Sequence, residues 1–305
     1  MKPGPVAFVA GSFTNRRKQR LYTRTYAPKG KPGALLFVHH GLGEHCGRYD
    51  KVCRQLADSG VAVYCYDAFG HGRSEPLDAD SRAFIESYGY LVDDLCDYMD
   101  SVPEQRQAQA DRRPPVFLLG HSMGGLVAVL AALRRQQGLA GVMLHSPALD
   151  VEWTTVLRIQ AALGSVLASL IPRARVVPAV RPEDMSQDPA VVADYIADPL
   201  NTVGPVRALT GNQMLQGFAE VGRRAGEVVL PVYVAHGTKD ACTSISASRR
   251  FVEGPGGVSS HDKIFRPVES GYHELLMGPE AEACTAELVG WMRGRGASLA
   301  PPSRL

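Results

Sequence analysis

Short apolar runs bounded by turn residues recur along this chain. Leu21–Tyr26 alternates as an exposed strand does, and Ala34–His39, Val61–Tyr66, Val116–Leu119, Val142–Leu144 and Val232–Ala235 are nearly continuous apolar stretches of strand length. Lys263–Val268 reads as a further strand. Between them, Tyr49–Asp58, Arg82–Met99 and Leu126–Arg135 space their apolar residues as helices do. Strands alternating with helices imply an α/β architecture, with a mostly parallel sheet covered on both faces. In such sheets the chemistry gathers at the carboxyl ends of the strands.

One interval breaks the alternation. From Leu149 to Glu227 no convincing strand is visible; Val156, Ile159, Leu163, Val166, Leu167 and Leu170 repeat at helical spacing, and Pro172, Pro178, Pro182, Pro189 and Pro199 punctuate the stretch after them. The interval reads as a helical cap inserted over the sheet, although periodicity alone does not separate a cap from helix packed on the core. The expected organisation is a first core segment over 1–148, the cap over 149–229, a second core segment over 230–295 and a poorly ordered tail over 296–305. The apolar stripe from Thr154 to Leu170, interrupted by Arg158, Ser165 and Ser169, is expected to cover the mouth of a tunnel beneath the cap and to allow peripheral membrane contact.

Composition narrows the class. The chain has 305 residues, 45% hydrophobic and 21% charged, with a formal net charge of +2. That is an ordinary globular balance with no broad electrostatic grip on nucleic acid. The six cysteines (Cys46, Cys53, Cys65, Cys96, Cys242, Cys284) form no CxxC pair, and the N-terminus lacks the basic-then-apolar pattern of a signal peptide. A reduced, cytoplasmic protein is the expectation. The most apolar stretch, Ala161–Ile171, is well short of the roughly 20 residues a membrane span needs. Ser303-Arg304-Leu305 resembles the S-K-L peroxisomal address, which makes the peroxisome the alternative location. Oligomeric state is not legible.

The residues that carry chemistry lie after the strands. Gly120-His121-Ser122-Met123-Gly124 is a G-x-S-x-G placed directly after a buried strand and directly before a helical pattern. At such a corner the serine hydroxyl projects into the cleft, and the N–H of Met123 sits at a helix N-terminus that favours a developing oxyanion. A serine hydroxyl needs a base, and in this arrangement the carboxylate and the histidine follow the serine in that order. Val232–Ala235 runs into His236-Gly237-Thr238-Lys239-Asp240, and Lys263–Val268 leads to Gly271-Tyr272-His273. Asp240 would fix the tautomer of His273, and His273 would move the proton from Ser122 to the leaving group. The glycine-rich turn after Ala34–His39 can bring the N–H of Leu42 to the acyl carbon as the second oxyanion donor. His39, His40, Glu44 and His45 crowd together, yet HGLGEH matches neither H-E-x-x-H nor H-x-x-E-H, so neither a metal nor a cofactor is expected. GHSMGGL lacks the lysine of a P-loop, and GHGRSE lacks the third glycine of a dinucleotide fingerprint.

With these motifs in place the chain resembles the monoacylglycerol lipases and related lysophospholipase-type hydrolases of the α/β-hydrolase fold. HHGLGEHCGRY is similar to their HG-x-GEH-x-x-RY segment, DAFGHGRSEP to their D-x-x-GHG-x-S-E loop and FLLGHSMGG to their nucleophile elbow; ADYIADPL, HGTKD and GYHEL extend the likeness. The resemblance implies a triad of Ser122, Asp240 and His273, an oxyanion hole from Leu42 and Met123, and a polar alcohol pocket lined by Glu44, Arg48, His121 and Tyr195. It implies hydrolysis of a monoacylglycerol or similar single-chain lipid ester, with a lysophospholipase or an aromatic esterase of the caffeoylshikimate type as the alternatives. A ligand receptor on the same fold is the non-enzyme alternative. For Glu44, Arg48 and Tyr195 plain structural roles stay open. Family members sensitive to thiol reagents carry a cysteine three positions after the triad aspartate, whereas Cys242 is two after Asp240, so that sensitivity is not expected to transfer.

Overall fold

The computed structural model describes residues 6–102, 113–151, 164–178 and 180–299. Eight strands form one sheet: β1 (Phe8–Thr14), β2 (Arg20–Tyr26), β3 (Ala34–His39), β4 (Val61–Tyr66), β5 (Val116–His121), β6 (Gly141–His145), β9 (Val232–Gly237) and β10 (Lys263–Val268), in the spatial order β1-β2-β4-β3-β5-β6-β9-β10. β1 and β2 run antiparallel at one edge, and the strands from β4 to β10 pair in parallel.

The nearly continuous apolar runs follow from burial on both faces. Leu35, Phe37, Leu118, Val142 and Val234 join one core cluster, and the intervening Leu36, Val38, Phe117, Leu119 and Met143 join the other. The first cluster is closed by α2 (Tyr88–Ser101) and α3 (Met123–Arg135), the second by α1 (Asp50–Asp58) and α7 (Ala281–Arg293). α6 (Ile245–Glu253) lies against β9 and β10.

Two elements differ from the sequence reading for clear reasons. β1 is mostly exposed, and only Phe8 and Phe13, five residues apart, pack against the core clusters, so it shows no alternation and is held by pairing with β2. The helix expected from Arg82 starts at Tyr88, where the Ser87 hydroxyl caps it by accepting from the Gly89 N–H at 3.2 Å.

Between β6 and β9 the chain leaves the sheet. Residues 164–170 are helical, and residues 152–163, which hold most of the apolar stripe including Leu163, lie outside the described residues. The segment then forms α4 (Pro189–Ala197) and a small antiparallel pair of β7 (Arg175–Val177) with β8 (Val206–Arg207). These strands correct the expectation of none there; three and two residues long, they are too short to show alternation. α5 (Ala208–Arg224) corrects it further, because Met214, Phe218 and Val221 bury in the main core. The last part of the predicted cap is thus core-packing helix as well.

The inserted segment is fastened to the loops at the sheet's carboxyl end. Thr202 N–H donates to the Gly43 carbonyl at 2.7 Å, Glu274 N–H to the Met185 carbonyl at 2.8 Å, and His45 Nε2 lies 2.8 Å from Asp198 Oδ2. The described first residues of the expected tail, 296–299, are held against the core. Ala297 is buried, Ser298 N–H donates to the Gly33 carbonyl, and Arg293 Nε donates to the Leu299 carbonyl. Residues 300–305, with Ser303-Arg304-Leu305, lie outside the described residues. All six cysteines are free thiols, and among the described residues no helix is long and apolar enough to cross a membrane.

Candidate active site

β5 ends at His121 and α3 begins at Met123, which leaves Ser122 alone at the corner with φ 52° and ψ −121°. A residue with a side chain is strained there and stays only if its surroundings hold it. They do so through the backbone: Ser122 N–H donates to the His145 carbonyl at 3.2 Å, and the Ser122 carbonyl accepts from the N–H groups of Gly125 and Ala148 at 2.9 Å each. A Cβ on Gly120 would stand 2.2 Å from the Gly124 carbonyl oxygen, and one on Gly124 would stand 2.0 Å from that of His39. Those approaches are why the two glycines of the motif are required. Ser122, His273, Leu42 and Met123 all line one cavity of about 810 Å³. The N–H of Met123, at the start of α3, has no intrahelical partner, so it is available to an oxyanion, with Leu42 contributed from the loop after β3.

Asp240 and His273 meet as the motif order requires. His273 Nδ1 lies 2.8 Å from Asp240 Oδ2, and both side chains are buried. The carboxylate is saturated with donors: Oδ1 accepts from the N–H groups of Cys242 (2.7 Å) and Thr243 (3.1 Å), and Oδ2 also takes the Thr243 hydroxyl at 3.0 Å. Burial alone would push Asp240 up, but the charge of His273 and hydrogen bonds from His236 and His273 hold it well below the usual carboxylate range. For His273 burial works downward, yet the charge and hydrogen bond of Asp240, with Glu274 and Glu44 beyond, win, and its pKa is raised.

The four residues expected around an alcohol divide. Glu44, His121 and Tyr195 line the cavity, and Arg48 does not. Glu44 is already engaged: Oε1 accepts from Gly41 N–H and Tyr49 Oη–H at 2.6 Å each and lies 3.1 Å from His121 Nδ1, while Oε2 accepts from Arg48 at 2.8 Å. Arg48 spends its fork on Glu274, with Nη1 on Oε1 and Nη2 on Oε2 at 2.9 Å. Glu44 therefore ties down the turn that carries Leu42, and Arg48 acts from behind the wall. This favours the plain structural role for that pair over direct contact with an alcohol. Tyr195 keeps its place, its ring 4.9 Å from the Arg48 guanidinium carbon, and burial pushes its hydroxyl up to about 12.

Glu274 and Tyr49 were missed in the sequence. Glu274 stands in GYHEL directly after His273, and Tyr49 ends CGRY after the HGLGEH turn; only the fold shows that both converge on Glu44 and Arg48. The crowded histidines take different partners: His39 Nδ1 lies 2.9 Å from the His40 carbonyl oxygen, His40 Nε2 accepts from Ala68 N–H at 2.9 Å, and His45 pairs with Asp198. Among the described residues the one grouping of three metal-type donors is Asp240, Cys242 and His273, which is the triad pair with a neighbouring thiol. Burial and the charge of Asp240 push that thiol up, against easy ionisation.

The comparisons with known proteins fit this geometry. The hydrolase family described as serine aminopeptidase S33 (Hydrolase_4) matches residues 30–280. The chain belongs to this family. The rat monoglyceride lipase is 34% identical over 268 residues, covering 86% of this chain and 82% of that protein. The monoacylglycerol lipase of Mycolicibacterium smegmatis is 27% identical over 284 residues, covering 92% and 95%. The crystal structure of the Paleococcus ferrophilus monoacylglycerol lipase is similar with a TM-score of 0.77 at 27% identity, over 90% of this chain and 99% of that one. The sheet is accordingly that of an α/β-hydrolase.

In this S33-family chain Asp240 holds His273 at the cavity wall; with His273 as the expected base, activity should rise with pH as it loses its proton. Because the folded value is raised, the single acid limb of kcat/KM for a soluble p-nitrophenyl ester should lie above about 6.5, the ordinary value for histidine. Asp240→Asn removes the charge that raises it, so the residual limb should move down while kcat/KM falls by roughly three to four orders of magnitude. A wild-type limb below 6.5 would contradict this assignment.

Proposed function

We propose that the protein hydrolyses the ester bond of monoacylglycerols through an acyl-enzyme on Ser122. The observation that carries the reading is the convergence on one cavity of a strained serine and a histidine raised by a buried carboxylate, with Leu42 and Met123 lining the same cavity. His273 Nε2 takes the proton as Ser122 Oγ attacks the acyl carbon, and the N–H groups of Leu42 and Met123 receive the oxyanion. The proton then goes to the leaving glycerol oxygen. Water, activated by the same imidazole, releases the fatty acid.

The cavity supports a single acyl chain. Its volume of about 810 Å³ lies within the range of small-molecule sites, and Leu167, Val177, Met185, Met214, Leu215 and Phe218 give it an apolar wall. At the other end Tyr195 offers a hydroxyl to the alcohol. The relatives named monoglyceride lipase support the same substrate class.

The rim of the inserted segment supports peripheral contact with a lipid surface. Val166, Leu170, Ile171, Val176 and Val180 are all exposed on this segment, Leu170 at 75%, and exposed apolar side chains concentrated in one segment suit a lipid surface. Leu170→Asp should reduce cosedimentation with zwitterionic vesicles without changing turnover of a soluble ester. Unchanged cosedimentation would remove the contact from this rim.

A substrate panel decides the class: monoacylglycerols should be cleaved with higher kcat/KM than lysophospholipids or caffeoyl esters. Tyr195→Phe should lower kcat/KM for a monoacylglycerol by about fivefold or more, about 1 kcal/mol, and affect a p-nitrophenyl ester of the same chain much less. If both substrates fall together, Tyr195 serves packing, and the glycerol assignment loses its support.

A further inference from the structure

Asp240 serves two imidazoles. His273 Nδ1 lies 2.8 Å from its Oδ2, and His236 Nε2 lies 3.1 Å from the same oxygen. His236 belongs to β9, is fully enclosed, and does not line the cavity. Its other ring nitrogen, Nδ1, is 2.8 Å from Ser248 Oγ, a buried hydroxyl on α6. The reaction scheme gives His236 no task.

Its tautomer follows from its neighbours. With the proton on Nε2, the ring donates to Asp240 Oδ2 and Nδ1 accepts from the Ser248 hydroxyl. With the proton on Nδ1, a lone pair on Nε2 would face a carboxylate oxygen at 3.1 Å. The nearby Thr243 hydroxyl, 3.3 Å from Nε2, would not relieve this, since it is closer to Asp240 Oδ2 at 3.0 Å. The Ser248 hydroxyl can donate to Nδ1 or accept from it and is satisfied either way, so the acceptor-only Asp240 carboxylate selects the first arrangement.

We infer that His236, with its tautomer set by the Asp240 carboxylate, is a positioning residue that draws on that carboxylate and thereby limits how tightly Asp240 holds the protonated form of His273. The inference rests on the triad assigned above. A carboxylate sharing its oxygen with more donors is less basic. Remove the His236 donor, or turn its lone pair toward Oδ2, and Asp240 becomes a stronger partner for the imidazolium. His273 then keeps its proton to higher pH, where a general base must be free.

Other titratable and charged groups also face this pair. His121 on β5 has its ring centroid 4.7 Å from that of His273, and His145 on β6 feels both His121 and His236. Glu44 from the loop after β3 and the adjacent Glu274 act on His273, and Arg48 joins those two carboxylates. Asp184 and Arg181 of the inserted segment act on Cys242. Substitutions at His236 and Ser248 leave all of them in place, so a difference between those variants reads the donor on Asp240.

The experiment compares pH profiles of kcat/KM for a soluble p-nitrophenyl ester in wild type, Ser248→Ala, His236→Leu and His236→Gln, with thermal melts and fluorophosphonate labelling of Ser122 alongside. His236→Leu should move the acid limb up by roughly half a pH unit or more, an activity about threefold lower on the acid side of the limb, while Ser248→Ala, which leaves the Nε2 donor on Asp240, should keep the limb near wild type. In His236→Gln the amide Nε2 restores a donor near the same place, and the limb should return toward wild type. Limbs that coincide in all variants while only the melts change would overturn the inference, as would a downward shift. A wild-type protein that neither labels at Ser122 nor shows a limb would bring down the triad assignment itself, a distinguishable failure. Should the variants not fold, ¹⁵N NMR of the wild-type imidazoles still decides: a proton on Nε2 of His236 is expected, and one on Nδ1 contradicts it.

Discussion

The structure turns on the conformation of one residue. Ser122 at φ 52° occupies a backbone region that costs a side-chain-bearing residue about 1–2 kcal/mol. The cost is borne because three backbone hydrogen bonds, to His145, Gly125 and Ala148, fix the corner from both sides. It also requires that α3 press against β5 and the end of β3 so closely that no side chain fits at Gly120 or Gly124. Those contacts in turn require the parallel register of β3, β5 and β6, and hence the two-sided core. The nucleophile's exposure, the start of α3 beside it and the approach of the β3 loop are one geometric solution.

Buried carboxylates hold the remaining parts in place. Asp240, Glu44 and Glu274 have side chains no more than 3% exposed, and an unpaired charge there would be expensive. Asp240 and Glu44 take partners from several elements, and Glu274 takes the Arg48 guanidinium. Glu44 reaches back to the Gly41 N–H, so the ion pair with Arg48 shapes the turn that carries Leu42. Glu274, next in sequence to His273, anchors that loop on the same guanidinium. The inserted segment joins through Asp198, whose carboxylate meets His45. The polar groups nearest the nucleophile thus serve its placement more than substrate contact.

Much of this was legible in the sequence, for physical reasons. Strands buried on both faces appear as unbroken apolar runs, which is why Ala34–His39 and Val61–Tyr66 match β3 and β4 to the residue. The G-x-S-x-G is visible because backbone crowding at Gly120 and Gly124 admits no other residue. What stayed hidden depends on partners far along the chain. Arg48 and Glu274 are 226 positions apart, and His45 and Asp198 are 153 apart, so local pattern carried no sign of either pair and Arg48 was assigned to the pocket wall. β7 and β8 were too short to alternate, and the apolar spacing of α5 could not say that it faces both the core and the cavity.

The central claim is that Ser122, Leu42 and Met123 form a preorganised site for a tetrahedral oxyanion. A crystal structure of the protein phosphonylated by a fluorophosphonate tests it most directly. The account predicts phosphorus on Ser122 Oγ, a phosphoryl oxygen about 2.7–3.1 Å from the N–H nitrogens of both Leu42 and Met123, and Ser122 still at positive φ. A phosphoryl oxygen turned away from those two groups, or a Ser122 that relaxes to negative φ on modification, would contradict it.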